Sequence, residues 1–161
     1  MPTDRDQHLR ENLTYLISGG GAHAKFSDAI RNLPPTLRGK KPANFPHSIW
    51  MLVEHMRLAQ WDILEFCRNS KHVSPKWPDG YWPKTPAPST TAAWTKSLQR
   101  FRDDQKEMLD LVQSPKTDLF VKISWGDGQT ILREALLVAD HNAYHLAQIV
   151  DVRRLLGTWK D

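Results

Sequence analysis

Only one cysteine, Cys67, occurs in the 161 residues. It excludes an internal disulfide and any zinc site built on several thiolates, and it fits a reducing compartment. No uninterrupted apolar run is long enough to cross a bilayer. The opening "MPTDRDQHLREN" is charged from the outset and lacks the apolar stretch of a secretory signal. A cytoplasmic protein without membrane contact is therefore expected. Strand-like alternation is nearly absent, and so is any internal repeat. The net charge of +4 and a pI near 9.3 raise nucleic acid as a partner. Yet no long basic run supports it. Acids interleave with bases ("RFRDDQKEM"), and the densest cluster, Arg38-Gly39-Lys40-Lys41, is short and loop-like. Such charges read as solvated surface, so nucleic-acid binding is not expected.

What the chain does have is helical periodicity, at a length that suits a single domain over 1–161. In the first segment Thr3 is placed to cap, and Leu9, Leu13, Leu16 and Ile17 form an apolar stripe. Gly19, Gly20 and Gly21 must interrupt it, because consecutive glycines cost helix stability. More helix is expected through Leu33, stopped by Pro34 and Pro35. Pro46 suits the first turn of a second helix, running to Asn69, whose apolar residues recur at helical spacing. "SPKWPDGYWPKTPAPS" contains five prolines and three large aromatics. It reads as an ordered crossover packed down by Trp77, Tyr81 and Trp82, which are expected to cover a pocket mouth. Ser89 or Thr90 then caps a third helix reaching about Val112. A connection with a short extended piece at 119–123 leads to a last helix from about Thr130 to Leu156, ended by Gly157. The fold class predicted is all-α, a four-helix bundle with long crossover connections.

Seven tryptophans, several in or beside loops, can line a pocket or cap a core. More pointed is "VADHNAYHLAQIV", which sets His141 and His145 one turn apart. Seven histidines in a chain of this length give about 0.3 such pairs by chance, so the spacing alone is weak. Placement says more. On an ideal helix His141 lies within about 60° of Leu137, Val138, His145, Gln148, Val152 and Leu155, on the stripe that faces the interior. Two buried imidazoles need partners for four nitrogens. A third imidazole, His55, shares a face of the second helix with Met51, Leu52, Ala59 and Phe66, where a bundle wants apolar packing. Asp62 lies on that face two turns on, about 10 Å along the axis. His47 reads as a cap-region or pocket residue, and His23 stands where it could approach the site. His8 and His72 read as superficial. Cys67, about 120° around from His55, is not placed as a ligand. Two readings stay open on this ground: hydrogen-bonded core histidines, or three ligands of a metal.

"PHSIWMLVEHM", followed after a long interval by "LLVADHNAYHLAQIVDVRRLLG", resembles the DinB-like (DinB/YfiT-like) family of metal-dependent enzymes over most of the chain. The resemblance implies a four-helix bundle with a histidine triad, one ligand on the second helix and an HxxxH pair on the fourth. Carried over, those ligands fall on His55, His141 and His145. Three histidines leave open coordination positions, as in catalytic sites, and zinc fits them, with nickel or iron as alternatives. Relatives with known activity include thiol transferases and a thiol-dependent isomerase. The expectation is thus a small-molecule transferase or hydrolase, acting on a substrate that includes a low-molecular-weight thiol in the more specific form. Asp62, Glu134 and Tyr144 are the candidates for acid–base or ligand-supporting roles. The competing expectation is a non-catalytic bundle that uses its metal for stability or sensing, and a homodimer is implied for either.

Overall fold

The structure, a computed structural model, describes residues 4–159. Among these the chain is all-helical, with no named strand: α1 (Asp4–Ile17), α2 (Phe26–Ile30), α3 (Ile49–Arg68), α4 (Thr91–Gln113) and α5 (Ile131–Leu155). Two short 3-10 turns, Pro35–Leu37 and Asp79–Tyr81, lie in the connections. The extended piece expected near 119–123 is reduced to one isolated bridge, Lys122 to Thr130.

Side-chain oxygens start three of the four long helices. Ser48 Oγ accepts the Met51 N–H, Thr90 Oγ1 that of Ala93, and Thr130 Oγ1 that of Arg133. Each satisfies a donor the first turn leaves unpaired. Pro46 is therefore not in the first turn of α3; it precedes the cap, because Ser48 supplies the acceptor. The cap expected at Thr3 lies outside the described residues.

Glycines end α1 and α5 in the same way. Gly19 (φ 78°) and Gly157 (φ 69°) adopt the left-handed conformation. At each, the glycine and the residue after it donate back to the last turn: Gly19 to Leu16 O, Gly20 to Tyr15 O, Gly157 to Arg154 O and Thr158 to Arg153 O. This is the Schellman arrangement.

Helix is expected onward through Leu33, but α2 stops at Ile30. Arg31 is extended and Asn32 turns to φ 53°. The cause is the buried Arg153, whose Nη1 donates to the carbonyls of Asp28, Ala29 and Arg31. Leu16 also departs from expectation. It is 43% exposed, at the edge of the stripe whose buried members are Leu13 and Ile17.

In the bundle α3 packs on α4 and α5, and α1 packs on the same two, so α1 and α3 share one diagonal. Gln60 meets Phe101, Glu54 meets Ser97 and Arg68 meets Glu107, pairs that ascend together, so α3 and α4 are parallel. His55 meets His141 and His145 while Cys67, three turns on, lies near Glu134, so α5 is antiparallel to α3. The parallel pair explains the long crossover 69–90. It has to travel back along a 20-residue helix, about 30 Å, before α4 can begin.

Two apolar clusters fill the interior. One gathers Leu52, Val53, Met56, Phe101, Ile149 and Val152; the other gathers Leu13, Leu64, Met108, Val112, Ala135 and Val138. Between them runs a polar seam. Gln60 donates to Phe101 O at 2.7 Å, and Asn142 Nδ2 donates to Gln60 Oε1 at 2.8 Å. The histidines stand beside that seam.

Candidate metal centre

His55 projects from the middle of α3, and His141 and His145 from successive turns of α5, where the two antiparallel helices touch. His55 and His145 are buried and His141 is half-buried. One nitrogen from each lies within 4.8 Å of the others, a grouping that could hold a metal ion. His55 Nε2 and His141 Nε2 are 3.1 Å apart. Three nitrogens each about 2.0–2.1 Å from a tetrahedral zinc would be about 3.3 Å apart, close to that spacing.

The outer nitrogens are tied down. His55 Nδ1 donates to the Tyr81 carbonyl at 2.9 Å, and His145 Nδ1 to Gln148 Oε1 at 2.8 Å. A carbonyl oxygen only accepts, so each bond puts the proton on Nδ1 and leaves the Nε2 lone pair free. Oriented imidazoles with a held outer proton are what metal ligation requires. Burial also keeps the rings neutral. It pushes His55 down to about 4, with the Tyr81 carbonyl opposing and His145 and His47 adding. Burial and the neighbouring His145 and His55 push His141 down to about 3. His145 is lowered by burial against its bond to Gln148. At neutral pH all three offer lone pairs instead of repelling a cation.

The crossover closes over this group. Trp82 stacks on His55 with ring centroids 4.0 Å apart and planes parallel, and on His47 at 4.2 Å. Tyr81, 9% exposed, sends its hydroxyl to Asp62 Oδ2 at 2.6 Å while its carbonyl holds His55. His72 Nε2 donates to Asp62 Oδ1 at 2.6 Å. Asp62 is thus a buried anchor for the crossover, joined to His55 through Tyr81 rather than facing the triad.

Other candidates fall elsewhere. Trp77 does not pack the crossover down; it is 71% exposed, its ring lying 5.6 Å from that of Tyr81. His72 is not superficial, since its side chain is 7% exposed against Asp62. His23 does not join the triad: it is exposed and turned to the Ala24 carbonyl. Tyr144 is 63% exposed with its ring edge against His145, centroids 4.9 Å apart. Glu134 is buried two turns from His141, bonded to Arg133 at 2.6 Å. Cys67, near Glu134, is a thiol pushed up to about 12 by burial. Sequence reasoning set Gln148 on the face of His141 and Trp82 over a pocket mouth, but assigned neither as a partner of a triad imidazole. Gln148, three residues beyond His145, was open to detection from helical spacing; the Trp82 stack had no such signal.

Residues 21–149, which contain all three histidines, match the family model of the DinB superfamily. No curated protein and no solved structure matches the chain significantly. The match covers well over half of the chain, and the helical fold and clustered histidines agree with it: the chain belongs to the DinB superfamily.

Proposed function

We propose that His55, His141 and His145 hold one divalent metal through their Nε2 atoms, and that the centre serves a small-molecule transferase or hydrolase. The observation that carries the reading is the arrangement of three neutral imidazoles with converging ligand atoms and two outer protons fixed by Tyr81 and Gln148. Zinc fits the donor set best, and nickel or iron would also bind. When bound, the metal supplies a positive centre that lowers the pKa of a thiol or water in its open position. The chain's own residues do the rest. Gln148 and the Tyr81 carbonyl orient the rings, and Trp82 shields one face of His55 from water. Tyr144 is the acid–base candidate that stands beside the triad. Thiol transfer is the more specific form of the proposal. The same reading takes the chain as one domain acting in the cytoplasm, where Cys67 stays reduced, and as a pair of chains.

A non-catalytic role is the second reading, favoured by the burial of His55 and His145 at a contact between two helices, where a metal would staple α3 to α5. The test begins with elemental analysis of tag-free protein beside a His141→Ala/His145→Ala variant. About one transition-metal equivalent per chain, lost in the variant, is the expected result. No uptake of zinc, nickel or iron overturns the proposal. Turnover of a small thiol or hydrolase substrate by the loaded protein favours the enzyme. A large drop in melting temperature on chelation, with no turnover, favours the staple.

A further inference from the structure

The triad leaves His47 without a role, yet its ring is closely engaged. His47 and His55 both lie flat on Trp82, with centroids 4.2 and 4.0 Å from that of the indole and planes 12° and 0° from parallel. Two imidazoles this near one indole would overlap on a shared face, so they occupy opposite faces. Trp82 is therefore sandwiched, with His55 on one side and His47 on the other. His47 is half-buried, and its Nδ1 is enclosed without a hydrogen-bond partner. What it presents to Trp82 is a flat face.

That face bears on His55. The Nδ1–H bond to the Tyr81 carbonyl fixes one direction of the His55 ring but not its plane. The ring can still rock about that bond, and rocking carries Nε2 away from His141 Nε2, 3.1 Å distant. A parallel indole stops the motion on one side, while His145 meets the ring at 87° with centroids 4.5 Å apart. Trp82 itself is half-buried on the crossover, so it swings outward unless something backs it. His47 is that backing. The adjoining Ser48 is tied to both elements: its Oγ accepts the Met51 N–H of α3 and donates to the Pro86 carbonyl of the crossover. Phe45 closes the rim, its ring edge-on to His47 with centroids 6.4 Å apart.

We propose that His47 is a positioning residue of the metal centre: it clamps Trp82 against His55 and so fixes the plane in which His55 presents Nε2. Its effect on metal affinity rests on the metal reading above, whereas its effect on the His55 ring does not.

The test is zinc competition on the full chain and its variants, beside ring nitrogen NMR of the metal-free protein. His47→Ala should weaken zinc roughly tenfold, as the loss of an orienting partner at one remove. His47→Phe keeps the flat ring without its nitrogens and should bind within about twofold of the parent. His47→Leu fills the space without a flat face; it should match the alanine variant, and replaces it if that variant fails to fold. In a Trp82→Ala background, His47→Ala should cost nothing more, because its effect travels through the indole. Parent-like zinc binding by His47→Ala overturns the proposal. So does an additive loss in the double variant, or a loss in His47→Phe as large as in His47→Ala. Without metal, the His55 Nδ1 proton should exchange with water roughly three- to tenfold faster in His47→Ala, the span an ordinary ring stack supplies, and at the parent rate in His47→Phe. An unchanged rate in His47→Ala overturns the clamp. Protein that takes up no zinc while this exchange responds as expected upholds the clamp and removes the metal reading alone.

Discussion

Replacing Asp62 by alanine should damage both stability and metal affinity, for separable reasons. Its carboxylate accepts two bonds of 2.6 Å, from Tyr81 and His72, and its side chain is 12% exposed. Hydrogen bonds to a charged group contribute about 1.5–3 kcal/mol each. Both donors belong to the crossover connection, which can shift to let water reach them after the change; this favours the low end, about 3 kcal/mol for the pair. At about 3 °C per kcal/mol for a chain of this size, the melting temperature should fall by about 9 °C. The second effect runs through Tyr81, whose carbonyl orients His55. Loss of the group that orients a ligand typically costs 10–100-fold in affinity. Asp62 acts one step removed, so zinc should bind roughly tenfold more weakly. Asp62→Asn keeps an oxygen for the Tyr81 hydroxyl and should recover most of that affinity. Urea unfolding gives the first quantity and competition with a chromophoric chelator the second. Arg10→Met is the control. It removes bonds to the Val112, Ser114 and Thr117 carbonyls and should destabilise the chain without touching zinc affinity. The reasoning fails if Asp62→Ala binds zinc like the parent, or if Arg10→Met weakens zinc equally.

Three further outcomes are expected. Burial lowers His55 to about 4 and His141 to about 3, whereas an unfolded chain protonates its histidines near 6.5. The unfolded state therefore binds more protons between those values, so metal-free protein is most stable above about pH 6.5 and weakens as the pH falls toward 4. At pH 5 the loss should be about 2 kcal/mol for His55 and about half that for the partly exposed His141. Urea midpoints at pH 7 and 5 measure it, and an unchanged midpoint refutes it. Arg153→Met should leave the α2 carbonyls unpaired and cost about 2–3 kcal/mol, with faster hydrogen exchange across residues 26–33 and little change in α4. Cys67, with its thiol pushed up to about 12, should react with a disulfide reagent at least a hundredfold more slowly in the native protein than in urea. Rapid native labelling would contradict its burial.

The helices and their inward faces were legible because a 3.6-residue period is a local property. Leu52, Val53 and Met56 on α3, and Val138 and Val152 on α5, are buried as their spacing requires, whereas Leu155, placed on the same stripe, is 61% exposed in the last turn of α5. The cap at Thr90, and the start of the last helix at Thr130, were legible for the same reason. The crossover was not. The Tyr81 group that holds His55 is a backbone carbonyl, which every residue possesses and no sequence marks. Trp77, Tyr81 and Trp82 look equivalent in the chain, yet only the latter two pack, because Asp62 captures the Tyr81 hydroxyl and His55 presents a flat ring to Trp82. His72 read as superficial because its partner is ten residues away across a turn. The early end of α2 was hidden likewise, since the arginine that takes its carbonyls is more than 120 residues downstream.

Those gaps have one physical origin, and it also explains why the site lies where it does. The apolar clusters at either end of the bundle each bury large side chains, Phe101 and Ile149 in one, Met108 and Leu64 in the other. Close packing there secures the register of α3 on α5, and with it the distance between His55 and His141. The seam between the clusters is thereby relieved of supplying stability and accepts groups a core would normally exclude: two amides, three imidazoles, an unpaired carbonyl oxygen. Polar groups in such a layer are tolerable only when directional partners satisfy them. Where the chain supplies those partners, as at Gln60, Gln148 and Tyr81, the seam is structure. At the imidazole Nε2 atoms it leaves them open, and that is where a ligand from outside has the most to gain.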